Sequence, residues 1–270
     1  MNISVAHGCD ERLGTDGTRY RYFDIGTGAT TVVLLHGMFG SPSNWLHAMR
    51  ELGDRYRFLS LQLPIDRHRG RRHAEFESIG QLTDHLTGFL DEMQLDRTVL
   101  VGNSLGGQVA LDYCLQAPER VERLVLSGSA GLFERSLSGG RPPRVCKDFI
   151  RDQACQIFYD PNNVDDAMVD EIYDMLRDRD YRRFLLRVAK GTRDRYMLDE
   201  LVRVQVPTLI IWGRDDSITP PFVAEQFCDH IEGAQLVFLD QCGHAPPIEQ
   251  PAEFTRHLEV FLSSTAGALA

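Results

Sequence analysis

The sequence predicts an α/β fold: a mostly parallel, eight-stranded sheet with helices on both faces and one helical cap insertion. Three observations carry this expectation. Short apolar runs alternate with helix-period segments from about residue 30 to 131 and again from 204 to 262, the rhythm of units that build a parallel sheet. Runs such as Thr30-Thr-Val-Val-Leu-Leu-His36 are apolar without alternation, as strands covered on both faces are. Residues 132–203 hold no convincing strand and are rich in Arg and Asp. The expected division is therefore a core of residues 1–131 and 204–270 interrupted by a helical insertion at 132–203.

Residues 1–29 alternate weakly at Tyr20, Tyr22 and Ile25 among Gly14, Gly17, Gly26 and Gly28, which reads as two short edge strands joined by turns. The run ending at His36 leads into Gly37-Met38-Phe39-Gly40. A helix is expected from Ser43 or Asn44, both good caps, carrying Trp45, Leu46, Met49 and Leu52. Residues 56–63 form the next strand, stopped by Pro64. Residues 65–76 are basic and irregular; a solvated loop is expected rather than a phosphate site, since no glycine-rich turn precedes them. Ile79, Leu82, Leu86, Phe89, Leu90 and Met93 recur at offsets of three and four, one face of a helix.

Residues 99–107, Val-Leu-Val-Gly-Asn-Ser-Leu-Gly-Gly, then join a strand to an amphipathic helix-like run at 108–115. Another buried strand is expected at 121–127. Within the insertion, amphipathic stretches run from about Asp165 to Arg177 and near Tyr181–Val188. Beyond it come a strand at 207–213, a helix at about 221–230, a strand at 234–239 and a last helix at 252–261.

Composition narrows the function. The chain has 270 residues, 43% hydrophobic and 25% charged, with a formal net charge of -10. An acidic chain of this kind is not expected to bind nucleic acid or an anionic membrane. No apolar run approaches the length of a membrane span, and no secretory leader is read at the N-terminus. Cys9, Cys114, Cys146, Cys155, Cys228 and Cys242 show no C-x-x-C spacing. A reducing, cytoplasmic protein without structural zinc is expected. His68 and His73 have no carboxylate or Cys at ligand spacing, so neither a metal nor a cofactor is expected.

The G-x-S-x-G spacing at 102–106 has a steric reason. A serine in a strained turn between strand and helix needs small residues two positions away, where backbones approach closely. A serine hydroxyl is a weak nucleophile, so it needs a base, a group orienting that base, and donors for the developing oxyanion. In a parallel sheet these belong beyond the carboxyl ends of strands. Three loops there supply candidates. Residues 212–220 offer Asp215 and Asp216, residues 240–247 offer His244, and the His36–Gly40 loop offers backbone N–H groups. Asp240 is a further, weaker orienter. His36 is expected to serve its own turn, and His47 and His85 to be ordinary surface or half-buried helix residues.

Taken in order, these motifs resemble the α/β-hydrolase fold: His-Gly-Met-Phe-Gly, Gly-Asn-Ser-Leu-Gly-Gly, Trp-Gly-Arg-Asp-Asp and Gly-His before the last helix. The resemblance covers roughly residues 18–262. It implies Ser104 as nucleophile, His244 as general base and then acid, and Asp216 rather than Asp215 as orienter, because the family spacing Trp-Gly-x-x-Asp lands there. It implies oxyanion donors at the N–H groups of Met38 and Leu105. One departure stands out: residues 62–70 lack the Asp-x-x-Gly-x-Gly-x-Ser run of many relatives, which weakens any transfer of specificity.

A serine nucleophile argues against chemistry that forms an alkyl ester on a carboxylate. The leading expectation is a carboxylesterase acting on a small or medium ester and water through an acyl-enzyme. The alternatives are a carbon–carbon bond hydrolase of the meta-cleavage-product type and a non-catalytic small-molecule receptor on the same fold. The expected pocket is apolar, with Phe39, Trp45, Leu132, Phe133 and Ile218 as candidate lining. Of the insertion's other aromatics, Phe149, Phe158 and Tyr159 either face that pocket or form the insertion's own core.

Overall fold

A computed structural model describes residues 10–65, 78–135 and 145–264. The expected basic loop, with His68 and His73, lies outside the described residues, as do Cys9 and the C-terminal tail. Eight strands form one sheet: β1 (Asp10–Leu13), β2 (Arg19–Ile25), β3 (Thr31–Leu35), β4 (Arg57–Leu61), β5 (Thr98–Asn103), β6 (Val121–Ser127), β7 (Thr208–Gly213) and β8 (Gln235–Leu239). Their order across the sheet is β1-β2-β4-β3-β5-β6-β7-β8. β1 and β2 pair antiparallel, as do β2 and β4, while all remaining pairs are parallel. The chain steps from β3 out to β4, then crosses back over β3 to reach β5. That reversal opens a crevice between the carboxyl ends of β3 and β5, where open parallel sheets bind ligands.

Each parallel strand feeds two cores at once. On β3, Val32 and Leu34 join one apolar cluster while Val33 and Leu35 join the other. The first cluster is closed by α1 (Leu46–Leu52) and α9 (Pro251–Ser263), through Met49, Leu52, Phe254 and Leu258. The second is closed by α2 (Gly80–Glu92), α3 (Leu105–Gln116) and α7 (Pro221–His230), through Leu86, Phe89, Val109 and Phe227. The continuous apolar runs are thus two-sided strands, which the hydrophobic effect keeps between the helical layers.

α3 differs from its amphipathic expectation. Every residue from Leu105 to Leu115 is buried, including Gln108 and Asp112. The reason is tertiary: the chain returning from the insertion lies over this helix. Gln108 Nε2 donates to the carbonyls of Thr192 and Arg195 at 3.0 and 2.9 Å. Asp112 pairs with the Arg195 guanidinium at 3.0 Å and accepts from Thr83 Oγ1 and Gln116 Nε2, both at 2.8 Å. Three side chains thus satisfy the acceptors of this buried carboxylate.

Residues 132–203 carry no strand among the described residues. They hold α4 (Lys147–Ala154), α5 (Asp166–Arg177) and α6 (Arg179–Asp194), followed by a 3-10 stretch at Leu198–Arg203. Asp165 and Asp178 cap α5 and α6, accepting from the N–H groups of Met168 and of Asp180 and Tyr181. The cap at Asp178 starts α6 earlier than the apolar pattern near Tyr181–Val188 implied. Ile150, Ala154, Phe158, Val164 and Val169 make a separate small core with Ala245. α6 instead turns Tyr181, Phe184, Leu185 and Val188 into the main core. α8 (Pro246–Glu249) is a single turn between β8 and α9. No helix among the described residues is long and apolar enough to cross a membrane.

Candidate active site

Ser104 sits at the step from β5 into α3 with φ 55° and ψ -121°. A side-chain-bearing residue held there stores strain of about 1–3 kcal/mol. The surroundings that hold it are backbone. Ser104 N–H donates to Ser127 O at 2.9 Å, and Ser104 O accepts from the N–H groups of Gly107 and Ala130 at 3.0 and 3.1 Å. The flanking glycines are required by contact. A Cβ on Gly102 would lie 2.3 Å from Gly106 O, and one on Gly106 would lie 2.1 Å from Leu35 O. The Ser104 turn is therefore pressed against the end of β3, the neighbouring strand.

His244 lies beyond β8, and its Nε2 is 2.9 Å from Ser104 Oγ. Its Nδ1–H donates to Asp216 Oδ2 at 2.8 Å. With Nδ1 protonated, Nε2 is left as the acceptor for the serine proton. Asp216, buried beyond β7, accepts four bonds in all. Oδ1 takes the N–H groups of Ile218 and Thr219 at 2.8 and 2.9 Å, and Oδ2 takes Thr219 Oγ1 at 2.9 Å besides the imidazole. Burial alone would lower the His244 pKa. The Asp216 carboxylate, through its charge and its hydrogen bond, outweighs that with help from Glu134 and Glu249, and the net shift is upward from 6.5.

The competing aspartates are elsewhere. Asp215 is exposed to solvent. Asp240 forms an exposed ion pair with Arg214 at 2.6 Å. His36 is buried and serves its own turn: Nδ1–H donates to Gly37 O at 2.7 Å, and Nε2 accepts from Leu63 N–H at 3.0 Å and Gln62 Nε2 at 2.9 Å. Burial pushes its pKa down to about 4, so the ring stays neutral and ties β3 to the end of β4. That tie sets the course of the Gly37–Gly40 loop. A Cβ on Gly37 would stand 3.2 Å from Ser104 Cβ. Among the described residues the Met38 N–H donates to no backbone carbonyl. The Leu105 N–H opens α3 and has no partner within the helix.

The expected pocket residues do not stay together. Trp45 is 1% exposed and packs against Phe254, ring centroids 5.7 Å apart, in the core beneath α1 and α9. This corrects its expected place in the pocket: the indole is needed to fill that core. Leu132 is buried in the main core. Ile218 is buried too, and acts as a strut of the acid loop by donating to Asp216 and accepting from Arg135 N–H. Phe39 and Phe133 remain exposed, and Phe133 packs on Phe222 at 5.4 Å. Phe158 belongs to the insertion's own core, while Tyr159 is exposed.

Three residues that shape this site were not singled out from the sequence. Thr219 Oγ1 bridges Asp216 and His244, 2.9 Å from Asp216 Oδ2 and 3.2 Å from His244 Nδ1. Its spacing three residues after an Asp was a legible signal, since Asp side chains accept from backbone just ahead of them. Asn103 Nδ2 donates to Ser127 O and His244 O at 2.9 and 3.1 Å, joining three strand ends. Glu134 has its carboxyl pushed up in pKa by burial, with His244 among the charges acting on it, and accepts from Thr192 Oγ1 at 3.2 Å. Nothing local marks Glu134, because its partner is 58 residues away.

Comparison with known proteins places this geometry. A family model described as the alpha/beta hydrolase family matches residues 32–257. A pimeloyl-[acyl-carrier protein] methyl ester esterase from Nitrosomonas europaea is 31% identical, covering 83% of this chain and 92% of its own. A 2-hydroxy-6-oxo-2,4-heptadienoate hydrolase from Pseudomonas putida is 30% identical, covering 92% and 94%. Among solved structures, a meta-cleavage product hydrolase from Pseudomonas fluorescens IP01 superimposes with a TM-score of 0.79 at 25% identity, covering 94% of this chain and 97% of its own.

Proposed function

The chain belongs to the alpha/beta hydrolase family, and within it we propose a serine hydrolase that cleaves a small or medium, uncharged carboxylic ester. One observation carries this reading: the unbroken hydrogen-bonded line from Ser104 Oγ through the His244 ring to the buried Asp216 carboxylate. In the proposed reaction His244 Nε2 takes the Ser104 proton as Oγ attacks the ester carbonyl. The tetrahedral oxyanion forms against the N–H groups of Met38 and Leu105. His244 then passes the proton to the leaving alcohol, and an acyl-enzyme remains on Ser104. A water molecule, deprotonated by the same nitrogen, releases the acid. Asp216 fixes the imidazole tautomer and stabilises the imidazolium in both halves. Loss of one oxyanion donor is expected to cost about 10²–10³ in turnover.

Residues 132–203 serve in this reading as the cap, and the exposed apolar side chains of Phe39 and Phe133 border its entrance. The preference for an uncharged ester rests on electrostatics. The charged groups that bear most on His244 are all carboxylates, Asp216, Glu134 and Glu249, and they disfavour an anionic substrate close to the base.

A second reading, hydrolysis of a carbon–carbon bond in a meta-cleavage product, is favoured by the named activities of the 30% identical relative and of the superimposed structure. The loop after His36, Gly-Met-Phe-Gly-Ser-Pro, which departs from the Ser-Gly-Pro-Gly-like loop usual after His-Gly in meta-cleavage hydrolases, and the acidic surroundings of His244 argue for the ester. The test is steady-state turnover of a p-nitrophenyl ester series and of a 2-hydroxy-6-oxo-dienoate, wild type beside Ser104→Ala. Ester turnover that vanishes in the variant is the expected result. Turnover of the dienoate alone selects the second reading, and ester turnover surviving in Ser104→Ala overturns the role of the serine.

A further inference from the structure

We propose that Glu249 is a positioning residue for His244, its carboxylate clasping the base loop and residues 156–159 of the insertion into one unit. The inference rests on the proposed role of His244 as base. Glu249 ends α8, and both of its oxygens lie 3.0 Å from the Gly243 N–H. Oε1 also accepts from Ala245 N–H at 3.0 Å, and Oε2 accepts from Tyr159 N–H at 2.7 Å. The two residues flanking the catalytic imidazole therefore converge on one carboxylate, and that carboxylate holds the insertion as well.

The neighbouring bonds run the same way. His244 N–H donates to Ile157 O at 2.8 Å. Ser217 Oγ, from the acid loop, donates to Gln156 O at 2.7 Å. Residues 156–159 are thus tied to the loop bearing the acid and to the loop bearing the base. The backbones come close enough that a Cβ on Gly243 would lie 2.5 Å from Ile157 O and 2.9 Å from Tyr159 N. Ala245 and Phe158 continue the junction as apolar contact within the insertion's small core.

Chemistry favours a carboxylate at this place. Among the described residues the N–H groups of Gly243, Ala245 and Tyr159 meet no backbone carbonyl, and a carboxylate offers two acceptor oxygens to them. Catalytic geometry is demanding: a misplacement of about 1 Å costs up to about 100-fold in rate. The His244 ring is set by Asp216 at one nitrogen and Ser104 at the other, but its backbone is set by the clasp.

Glu249→Gln tests this with little change in volume. A glutamine has one acceptor oxygen, so it satisfies either the base loop or the Tyr159 N–H and turns its NH2 toward the other donor. The expected result is a folded protein whose kcat falls by about 10- to 100-fold while KM stays within about threefold. The rate at which a fluorophosphonate labels Ser104 should fall in parallel, read well below the melting temperature of either protein. Glu249→Asp keeps the charge but shortens the reach, and should lie between Gln and wild type. Unchanged kcat and labelling rate in folded Glu249→Gln overturn the proposal. If both variants fail to fold, the carboxylate is purely structural and the proposal is equally overturned. A wild-type protein that the probe does not label at Ser104 points instead to failure of the serine-hydrolase reading.

Discussion

Asp216→Asn is the substitution whose outcome follows most directly from the hydrogen-bond inventory. The carboxylate accepts four bonds: two from backbone N–H groups at Oδ1, and one each from Thr219 Oγ1 and His244 Nδ1 at Oδ2. Asparagine supplies one acceptor oxygen and one NH2. The two backbone donors cannot reverse their roles, so the oxygen takes the Oδ1 position. The NH2 then replaces Oδ2. The Thr219 hydroxyl can rotate and accept, but His244 Nδ1 accepts only if its proton moves to Nε2. Nε2 would then donate to Ser104 and could no longer take its proton. The fold should survive, and kcat should fall by about 10⁴-fold, equivalent to about 5.5 kcal/mol of transition-state stabilisation. Asp215→Asn changes an exposed side chain and should alter kcat/KM by no more than about twofold, the scale of a surface substitution. The assay is kcat and KM on one p-nitrophenyl ester for wild type and both variants. Comparable losses from the two aspartates, or a loss below about tenfold at Asp216, would refute the tautomer argument.

Ser104→Ala should lower turnover by at least about 10⁴-fold with the circular dichroism spectrum unchanged. Because φ is 55° at this position, Ser104→Gly, equally inactive, should exceed Ser104→Ala in stability by about 1 kcal/mol on urea denaturation. His244 must be neutral to act as base, and its surroundings hold its pKa above 6.5. Activity should therefore be present above that pKa and lost as pH falls through it, and a kcat/KM profile should place the acid limb above pH 6.5. Gly106→Ala would put a Cβ 2.1 Å from Leu35 O, a clash with backbone that cannot be relieved by a rotamer change. It should destabilise the protein by about 1–3 kcal/mol or more in a urea titration.

The elements read from local pattern were those whose burial is local. β3 and β5 are apolar along their length because helices cover both faces, and α2 shows its period because only one face is covered. Ser104 was legible because a strained turn needs glycines beside it. The loops bearing His244 and the pair Asp215 and Asp216 stand out as polar stretches at strand ends, and only the resemblance, through its Trp-Gly-x-x-Asp spacing, points to Asp216 rather than Asp215. α3 reads as amphipathic because Gln108 and Asp112 look like a solvent face, whereas Thr83, Thr192 and Arg195, all remote along the chain, bond to them. Trp45 was misplaced for a related reason: a tryptophan near a strand end suits a pocket as well as a core, and the packing of α9 decides for the core.

The sequence by itself determined the layered α/β architecture, the helical character of residues 145–203, and the three loops that can carry a nucleophile, an acid and a base. Those follow from periodicity, capping and turn chemistry, all encoded within a few neighbouring residues. The tertiary structure alone decided which nitrogen of His244 faces Ser104, that Asp216 is buried while Asp215 is exposed, and that Glu134 and Glu249 bear on the base. Each of these depends on loops from different strands meeting beyond the carboxyl ends of the sheet. Contacts of that kind join residues that are remote along the chain, and no local pattern records them.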